Sequence, residues 1–311
     1  MRLRTIIDKF KPMFKVRLGK GDRANVPPLK LKISEGACAP TKTYTPKLTP
    51  DEHLWMVDEI QHMADCGFLT PAPADAWVHV VRPVNKKRLL NSDGSLSAIR
   101  RRLVHNLIYL NKHIERIHCD PPNLEDIIDS TQGAKFFMLL DLTQCYWQIP
   151  MHPDSIKYLG LRSPSNRVYC FTVLPMGLHN SAPHTTSVLS KFLTPVMFQK
   201  RNGVGLYYDD LLIYAETEEE LVQMLEKTLT LLDKYNFKVH PKKINLFLAP
   251  HASGRRFTWA GRSVGADSNG KTVFGVDPEK TQALTEASTP QYVGELMTFL
   301  GACGWLRKKP S

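Results

Sequence analysis

The chain has no apolar stretch long enough to cross a bilayer. Its opening, MRLRTIIDKF, is too polar for a secretory signal. Its six cysteines (Cys38, Cys66, Cys119, Cys145, Cys170 and Cys303) are scattered, and no two form a CxxC pair. That spacing argues against a structural zinc site and against a disulfide framework, and leaves reduced thiols in an intracellular compartment as the expectation. No internal repeat or low-complexity block is present, which removes solenoid and fibrous architectures.

Acidic residues are scarce at the start. Residues 1–48 carry 12 Lys/Arg against 3 Asp/Glu, whereas the rest of the chain carries 29 against 27. The net charge of +11 is therefore largely an N-terminal property. Two readings of this segment stand side by side: a contact for a polyanion such as nucleic acid, and a solvated, partly disordered basic arm. Its Pro, Gly and Lys content (RLGKGDRANVPPLKLK) and weak periodicity predict an extended arm or linker.

At 311 residues with 42% hydrophobic content, the chain suffices for one large domain or two modest ones. A helix opens at Thr49 as N-cap, with Pro50 at the first position, Asp51 and Glu52 in the first turn, and Gly67 as its stop. WVHVVRPVNKK alternates like a strand, and RRRLVHNLIYLN reads as a basic strand leading into a helix or loop. NLEDIIDS is a short helix, and FFMLLDL a strand ending at Asp141. RVYCFTVLPMG is a strand running into a Pro/Gly turn, and SAPHTTSVLSKFLTPVM is helical. ETEEELVQMLEKTLTLLDKYNF is an amphipathic helix with an acidic first turn. RRFTWAGRSV and KTVFGV are late strands, followed by two helices. The mixture predicts an α+β fold with an antiparallel sheet.

The octet YYDDLLIY places Asp209 and Asp210 side by side between apolar runs. Successive strand residues point to opposite faces, so two neighbouring aspartates converge only at a backbone turn, and a hairpin tip is expected here. A purely polar turn is the simpler reading, but no glycine accompanies the pair, as hairpin turns usually require. Asp141 follows five apolar residues, Phe136 to Leu140, and sits at a strand end. Alone it reads as an N-cap for the residues after it. With the pair it supplies a third hard oxygen donor, and three carboxylates at adjacent strand ends suit two divalent cations.

LLDLTQCYWQIPM, FTVLPMGLHNSAP, LYYDDLLIYAE and YNFKVHPKK, in that order, resemble the palm motifs of reverse transcriptases, in particular those of gypsy-like long-terminal-repeat retrotransposons. The resemblance runs from about Thr49 to the C-terminus. It implies a right-hand polymerase fold: a basic arm or linker over 1–48, fingers and palm over 49–265, and a truncated start of thumb or connection over 266–311. It also implies RNA-directed DNA synthesis, with dNTPs added to a primer annealed to an RNA or DNA template, two Mg²⁺ (or Mn²⁺) as cofactors, and no membrane partner.

By the same resemblance Asp141, Asp209 and Asp210 are the metal-binding and catalytic carboxylates, Asp141 and Asp209 mattering most. Tyr146 is the aromatic that excludes a ribose 2′-hydroxyl, and the backbone of Leu142, Thr143, Gln144 and Cys145 cradles the triphosphate. Met176 and Gly177, in the LPMG loop with Pro175, pack on nucleotide and template. Arg102 grips phosphate. Lys86, Lys87 and Tyr208 contact template or primer, as do Trp259 and Gly261. Lys243 (or its neighbour Lys242) protonates the leaving pyrophosphate.

Each residue also has a plainer reading: a surface arginine, a packed methionine, a packed Trp in a hairpin, a solvated lysine pair. The fingers segment departs from the family pattern WRMVVDYRxLN, with Asn106, Leu107 and Ile108 where Asp, an aromatic and Arg are expected. The chain shows no protease Asp-Ser/Thr-Gly signature, no integrase zinc pattern, and nothing after Ser311 to supply a ribonuclease H domain. A fragment of a larger polyprotein or a truncated remnant is expected. The alternative to an active polymerase is a catalytically silent nucleic-acid-binding remnant; a DNA-templated polymerase of the same class is more distant.

Overall fold

The computed structural model describes residues 2–41, 47–85, 97, 99–120, 123–197, 199–248, 257–266, 272–276 and 278–307. Lys86 and Lys87 lie outside the described residues.

The chain opens on α1 (Arg2–Lys9) and a single 3-10 turn at Lys11–Met13. α2 (Pro50–Asp65) starts as its sequence demands: the Thr49 hydroxyl accepts from Glu52 N–H while the Glu52 carboxylate accepts from Thr49 N–H, a closed capping box. Gly67, at φ +76°, then turns the chain out of the helix. β1 (Leu69–Pro71), β2 (Val78–His79), β3 (Val81–Asn85), β4 (Arg101–His105), α3 (Ile108–Lys112) and α4 (Leu124–Ser130) lead to β5 (Phe136–Asp141). After it come α5 (Cys145–Gln148), α6 (Pro153–Ile156), β6 (Gly160–Arg162), β7 (Val168–Phe171) and α7 (Ser181–Leu193). The hairpin of β8 (Gly203–Tyr207) and β9 (Asp210–Ala215) precedes α8 (Glu218–Lys234), which Thr217 and Glu220 cap in the same reciprocal way. β10 (Asn245–Leu248), β11 (Phe257–Trp259), β12 (Arg262–Ala266), β13 (Thr272–Val276), α9 (Pro278–Thr285) and α10 (Val293–Arg307) complete the order.

The central sheet runs β10-β5-β9-β8, antiparallel throughout. Its inner strands are buried on both faces, which is why they read as continuous apolar runs rather than alternating ones. Met138, Leu140, Leu211 and Ile213 join the main core, where α8 packs on β9 and β5. Phe137, Leu212 and Tyr214, one residue out of phase, join a smaller core with Ile127 of α4 and Trp259 and Val264 of the β11-β12-β13 sheet. A second sheet, β1-β7-β6-β2, departs from the antiparallel expectation at one pair: β2 and β6 run parallel. β3 and β4 form a separate two-stranded ribbon. Among the described residues no helix is long and apolar enough to cross a membrane.

The N-terminal segment differs from the extended arm its composition predicts. Ile6, Phe10, Met13, Leu18, Leu29 and Leu31 are all buried in the main core. Met13 and Lys15 bracket Val239 with two backbone hydrogen bonds (Val239 N to Met13 O, Lys15 N to Val239 O, both 3.0 Å). Four of its basic side chains pair at the surface with acidic residues of the rest of the chain: Lys9 with Glu226 (2.8 Å), Arg17 with Glu59 (2.5 Å), Lys30 with Asp154 (2.7 Å) and Lys32 with Glu115 (3.2 Å). The segment is a strap packed on the main core, and part of its positive charge answers acidic residues elsewhere in the fold.

Candidate active site

The β8–β9 hairpin turns in two residues, Tyr208 and Asp209, between the paired Tyr207 and Asp210. Tyr208 takes a φ of +57°, a conformation that a bulky side chain adopts only when its surroundings impose it. β9 continues the register so that Asp210 faces Asp141 directly across the sheet. Residues opposite each other in a sheet share a face, and like charges placed so repel. Burial and the neighbouring carboxylates therefore push the Asp210 carboxyl up to about 6. The Asp209 carboxyl is also raised, by burial first and then by Asp141, against the opposing pull of its own backbone N–H and of Lys243. Asp141 is not a helix cap: α5 begins later, with Gln144 as its N-cap residue.

Among the described residues, the cation that pairs with this cluster is Lys243. Lys243 Nζ donates to both oxygens of Asp141, at 2.9 and 2.8 Å. Among the described residues no group of three or more His, Cys, Asp or Glu side chains forms a ready metal-binding cluster. The backbones thus bring the three aspartates together as expected, while the carboxylate of Asp141 is engaged by the lysine. A cavity of about 270 Å³ opens beside them, its lining including Asp141, Asp210, Lys242, Lys243, Asn245 and Thr258. The donor set still fits a hard divalent ion, because it brings carboxylate oxygens from two directly paired strand-end residues and the hairpin turn beside them.

In the loop after Asp141 one backbone donor of the expected triphosphate cradle is already engaged. The Leu142, Thr143 and Cys145 side chains are buried, and the Thr143 N–H is already bonded to Lys238 O (2.9 Å). Burial also pushes the Cys145 thiol well up. Gln144 sits at φ 47°, ψ 47°, and its side-chain oxygen accepts from Leu18 N–H of the strap (3.1 Å). The Thr143 hydroxyl donates to Lys15 O of the same strap (2.6 Å). Tyr146 is half-buried, with its phenol pushed up to about 12 by burial and then by Asp209.

On the other side, Gly177 has a φ of +101°, and a Cβ there would come within 2.2 Å of the His105 carbonyl oxygen. The close approach that this glycine permits is therefore to β4. Met176 is half-buried, whereas Pro175 is buried, its carbonyl accepting from Ser181 Oγ (3.0 Å). Arg102 is exposed on β4. Trp259 is only 2% exposed and packs edge-on to Tyr207, and it also lines the cavity beside Asp141 and Asp210. Gly261, at φ +74° after Ala260 at +47°, makes the two-residue turn joining β11 to β12. Tyr208, at 36% exposure, is stacked edge-on against Tyr207 and free to meet a ligand.

Three supporting residues lie within the quoted motifs but take roles that the sequence does not assign. Asn111 clamps the LPMG loop, donating to Gly177 O (2.8 Å) and accepting from His179 N–H (3.0 Å). Asn180 ties Ile117 N–H and Glu115 O to the start of α7. Gln148, fully buried, donates to Thr143 O and Lys238 O and accepts from Lys238 N–H, fixing the loop after Asp141 to the segment after α8. A polar residue inside the apolar run CYWQIPM was the available signal for Gln148.

Two strands presenting aspartates at their facing ends, backed by helices, with a β-ribbon alongside, define a right-hand polymerase. Residues 94–294 match the family described as reverse transcriptase (RNA-dependent DNA polymerase), and the chain belongs to that family. It is 26% identical over 207 residues to the genome polyprotein of Petunia vein clearing virus (isolate Shepherd), covering 67% of this chain and 9% of that one. It is 24% identical over 305 residues to the Gag-Pol polyprotein of gibbon ape leukemia virus, covering 96% and 17%. With the retrovirus-related Pol polyprotein from transposon gypsy of Drosophila melanogaster it shares 27% over 208 residues, covering 67% and 19%. The chain thus spans less than a fifth of the length of these relatives. In fold it is similar to a foamy viral protease-reverse transcriptase solved in complex with dsDNA, with a TM-score of 0.76 at 21% identity over 98% of this chain and 58% of that one.

Proposed function

We propose that this chain is the polymerase part of a gypsy-like long-terminal-repeat Pol protein, and that it extends a primer on an RNA or DNA template by adding dNTPs. The register that sets Asp141 opposite Asp210, with Asp209 at the strained tip between, carries this reading. Asp141, Asp209 and Asp210 would hold two Mg²⁺ ions, or Mn²⁺ in their place. Such ions activate the primer 3′-hydroxyl and stabilise the leaving pyrophosphate. Tyr146, close enough to Asp209 to feel its charge, would lie under the incoming sugar and exclude a 2′-hydroxyl. Arg102, Met176 and Gly177 would border the nucleotide, and Tyr208 the primer. Fingers and palm would occupy 49–265, and the thumb would begin within 266–311. Solved neighbours of this fold carry an RNA/DNA hybrid or dsDNA, which supports a nucleic-acid duplex as partner.

The competing reading, a catalytically silent nucleic-acid-binding remnant, draws on the altered fingers motif and on the lack of a ready metal cluster among the described residues. Primer extension on an RNA template with Mg²⁺ and dNTPs separates the two. Wild type is expected to extend, and Asp209→Asn to lose at least about 10²-fold in rate, as when electrostatic stabilisation of a transition state is removed. Equal incorporation by both proteins, or none by either, sinks the polymerase reading. Tyr146→Val is expected to raise ribonucleotide incorporation relative to dNTP, and an unchanged ratio would remove the gate from Tyr146.

A further inference from the structure

The lysine on Asp141 has a consequence for how the site takes up metal. The ammonium of Lys243 holds both oxygens of one carboxylate, while Asp210, directly opposite, and Asp209 beside it make no such pair with it. The grip is built from the backbone up. Leu142 bridges Val239, His240 N–H donates to Asp141 O (2.8 Å), and Lys243 N–H closes a 3-10 turn on His240 O (3.1 Å). The strand end that positions Asp141 therefore also positions the lysine. The lysine side chain is 56% exposed and lines the cavity beside the carboxylates, so it has room to leave.

We propose that Lys243 is a resident counter-cation of the carboxylate site, competing with a divalent metal ion for Asp141. A hard divalent ion needs the oxygens that the ammonium holds, and with Nζ on both of them the ion and the ammonium compete for the same acceptors. Metal uptake at Asp141 therefore expels the ammonium into the adjoining cavity. There Lys243 joins Lys242 as a second positive charge beside the reacting centre. An ammonium–carboxylate pair this exposed is worth at most about fivefold in an equilibrium. The lysine therefore tunes metal affinity without blocking it. This inference rests on the polymerase reading for the identity of the site, but concerns metal uptake, not turnover.

The test is calorimetric titration of the full chain with Mn²⁺, without nucleic acid or nucleotide, together with thermal melts in EDTA. Lys243→Met is expected to bind Mn²⁺ about threefold to fivefold more tightly than wild type and to melt lower in EDTA. Lys243→Gln, which keeps a donor for Asp141 but no charge, is expected to bind more tightly as well and serves if the Met variant folds poorly. Lys243→Arg, which keeps the charge, is expected to bind as wild type does. Lys242→Met, lining the same cavity, is expected to change the affinity by less than about twofold. Mn²⁺ affinity unchanged or weakened in both Lys243→Met and Lys243→Gln overturns this inference alone. Failure of every variant to bind Mn²⁺ overturns the metal site with it. Absent primer extension with tighter Mn²⁺ binding in the Lys243 variants leaves this inference standing and the polymerase reading rejected.

Discussion

The two ends of the chain invert what their sequences suggest. Residues 2–33, rich in Lys, Pro and Gly, look like a solvated arm yet bury six large apolar side chains and lock the loop that follows Asp141. Residues 278–307, two helices by pattern, look well ordered, yet α10 presents Leu296, Met297 and Leu300 to solvent at 45, 69 and 57% exposure. Helix formation is a local property, whereas burial depends on what the rest of the fold places opposite. The strap finds Val239, Gln148 and α8 waiting for it. Among the described residues α10's main packing partner is α9.

Removing each end breaks the comparison most forcefully. Deleting residues 1–24 strips Ile6, Phe10, Met13 and Leu18 from the core, each contributing about 1.5–3 kcal/mol. Their sum rivals a typical total stability of about 5–15 kcal/mol. Loss of a cooperative thermal transition is the expected outcome, read by circular dichroism. Deleting residues 278–311 is expected to leave that transition within a few degrees of the full chain. Equal damage from both deletions would show that α9 and α10 carry core energy that their exposure conceals.

Single substitutions sharpen the same contrast with less disruption. Met13→Ala, at a side chain 1% exposed, is expected to cost about 2–4 kcal/mol in urea unfolding. Leu300→Ala is expected to stay within about 0.5 kcal/mol of wild type. A cost at Leu300 matching that at Met13 would contradict the exposed position of α10.

Much of this was legible in the residues themselves. The capping boxes at Thr49 and Thr217, the hairpin at Asp209 and the strand ending at Asp141 follow from local chemistry: side-chain oxygens answering orphan amides, and charges that tolerate only a turn or a strand end. The strap also left a signal. LKLKI alternates with period two, and Leu29 and Leu31 are buried while Lys30 and Lys32 reach out to Asp154 and Glu115. Composition outweighed that short pattern. The pairing of Asp141 with Lys243 had no signal, because it joins residues 102 positions apart. The burial of Trp259 and Pro175 had no signal for the same kind of reason: which face of a hairpin or loop is covered depends on a partner distant in sequence. The reversal of α10, apolar by sequence yet exposed, has the opposite cause, a helix whose pattern is complete but whose cover is not supplied by the described residues.

The smallest expected effect lies where the strap meets α7. His184 donates from Nε2 to the Pro27 carbonyl (3.3 Å), and burial holds its imidazole below the ordinary value of 6.5 despite that contact. With the folded value below the unfolded one, the proton binds the unfolded chain more readily. Stability from this site is fully present above about pH 6.5 and falls as pH drops through the folded value. His105, buried and pushed down to about 3, and His79, also lowered by burial, add acid sensitivity of the same sign at the root of the β3–β4 ribbon. Any His184 variant shares that background, so the difference between proteins isolates the strap contact. His184→Gln keeps a donor for Pro27 and removes the titration. Its melting temperature is expected to fall less between pH 7.5 and 5.5 than that of wild type, by roughly 1–2 °C. Identical acid dependence in the two proteins would mean that the strap stays seated whatever the charge on His184, held by its buried apolar side chains and its backbone bonds.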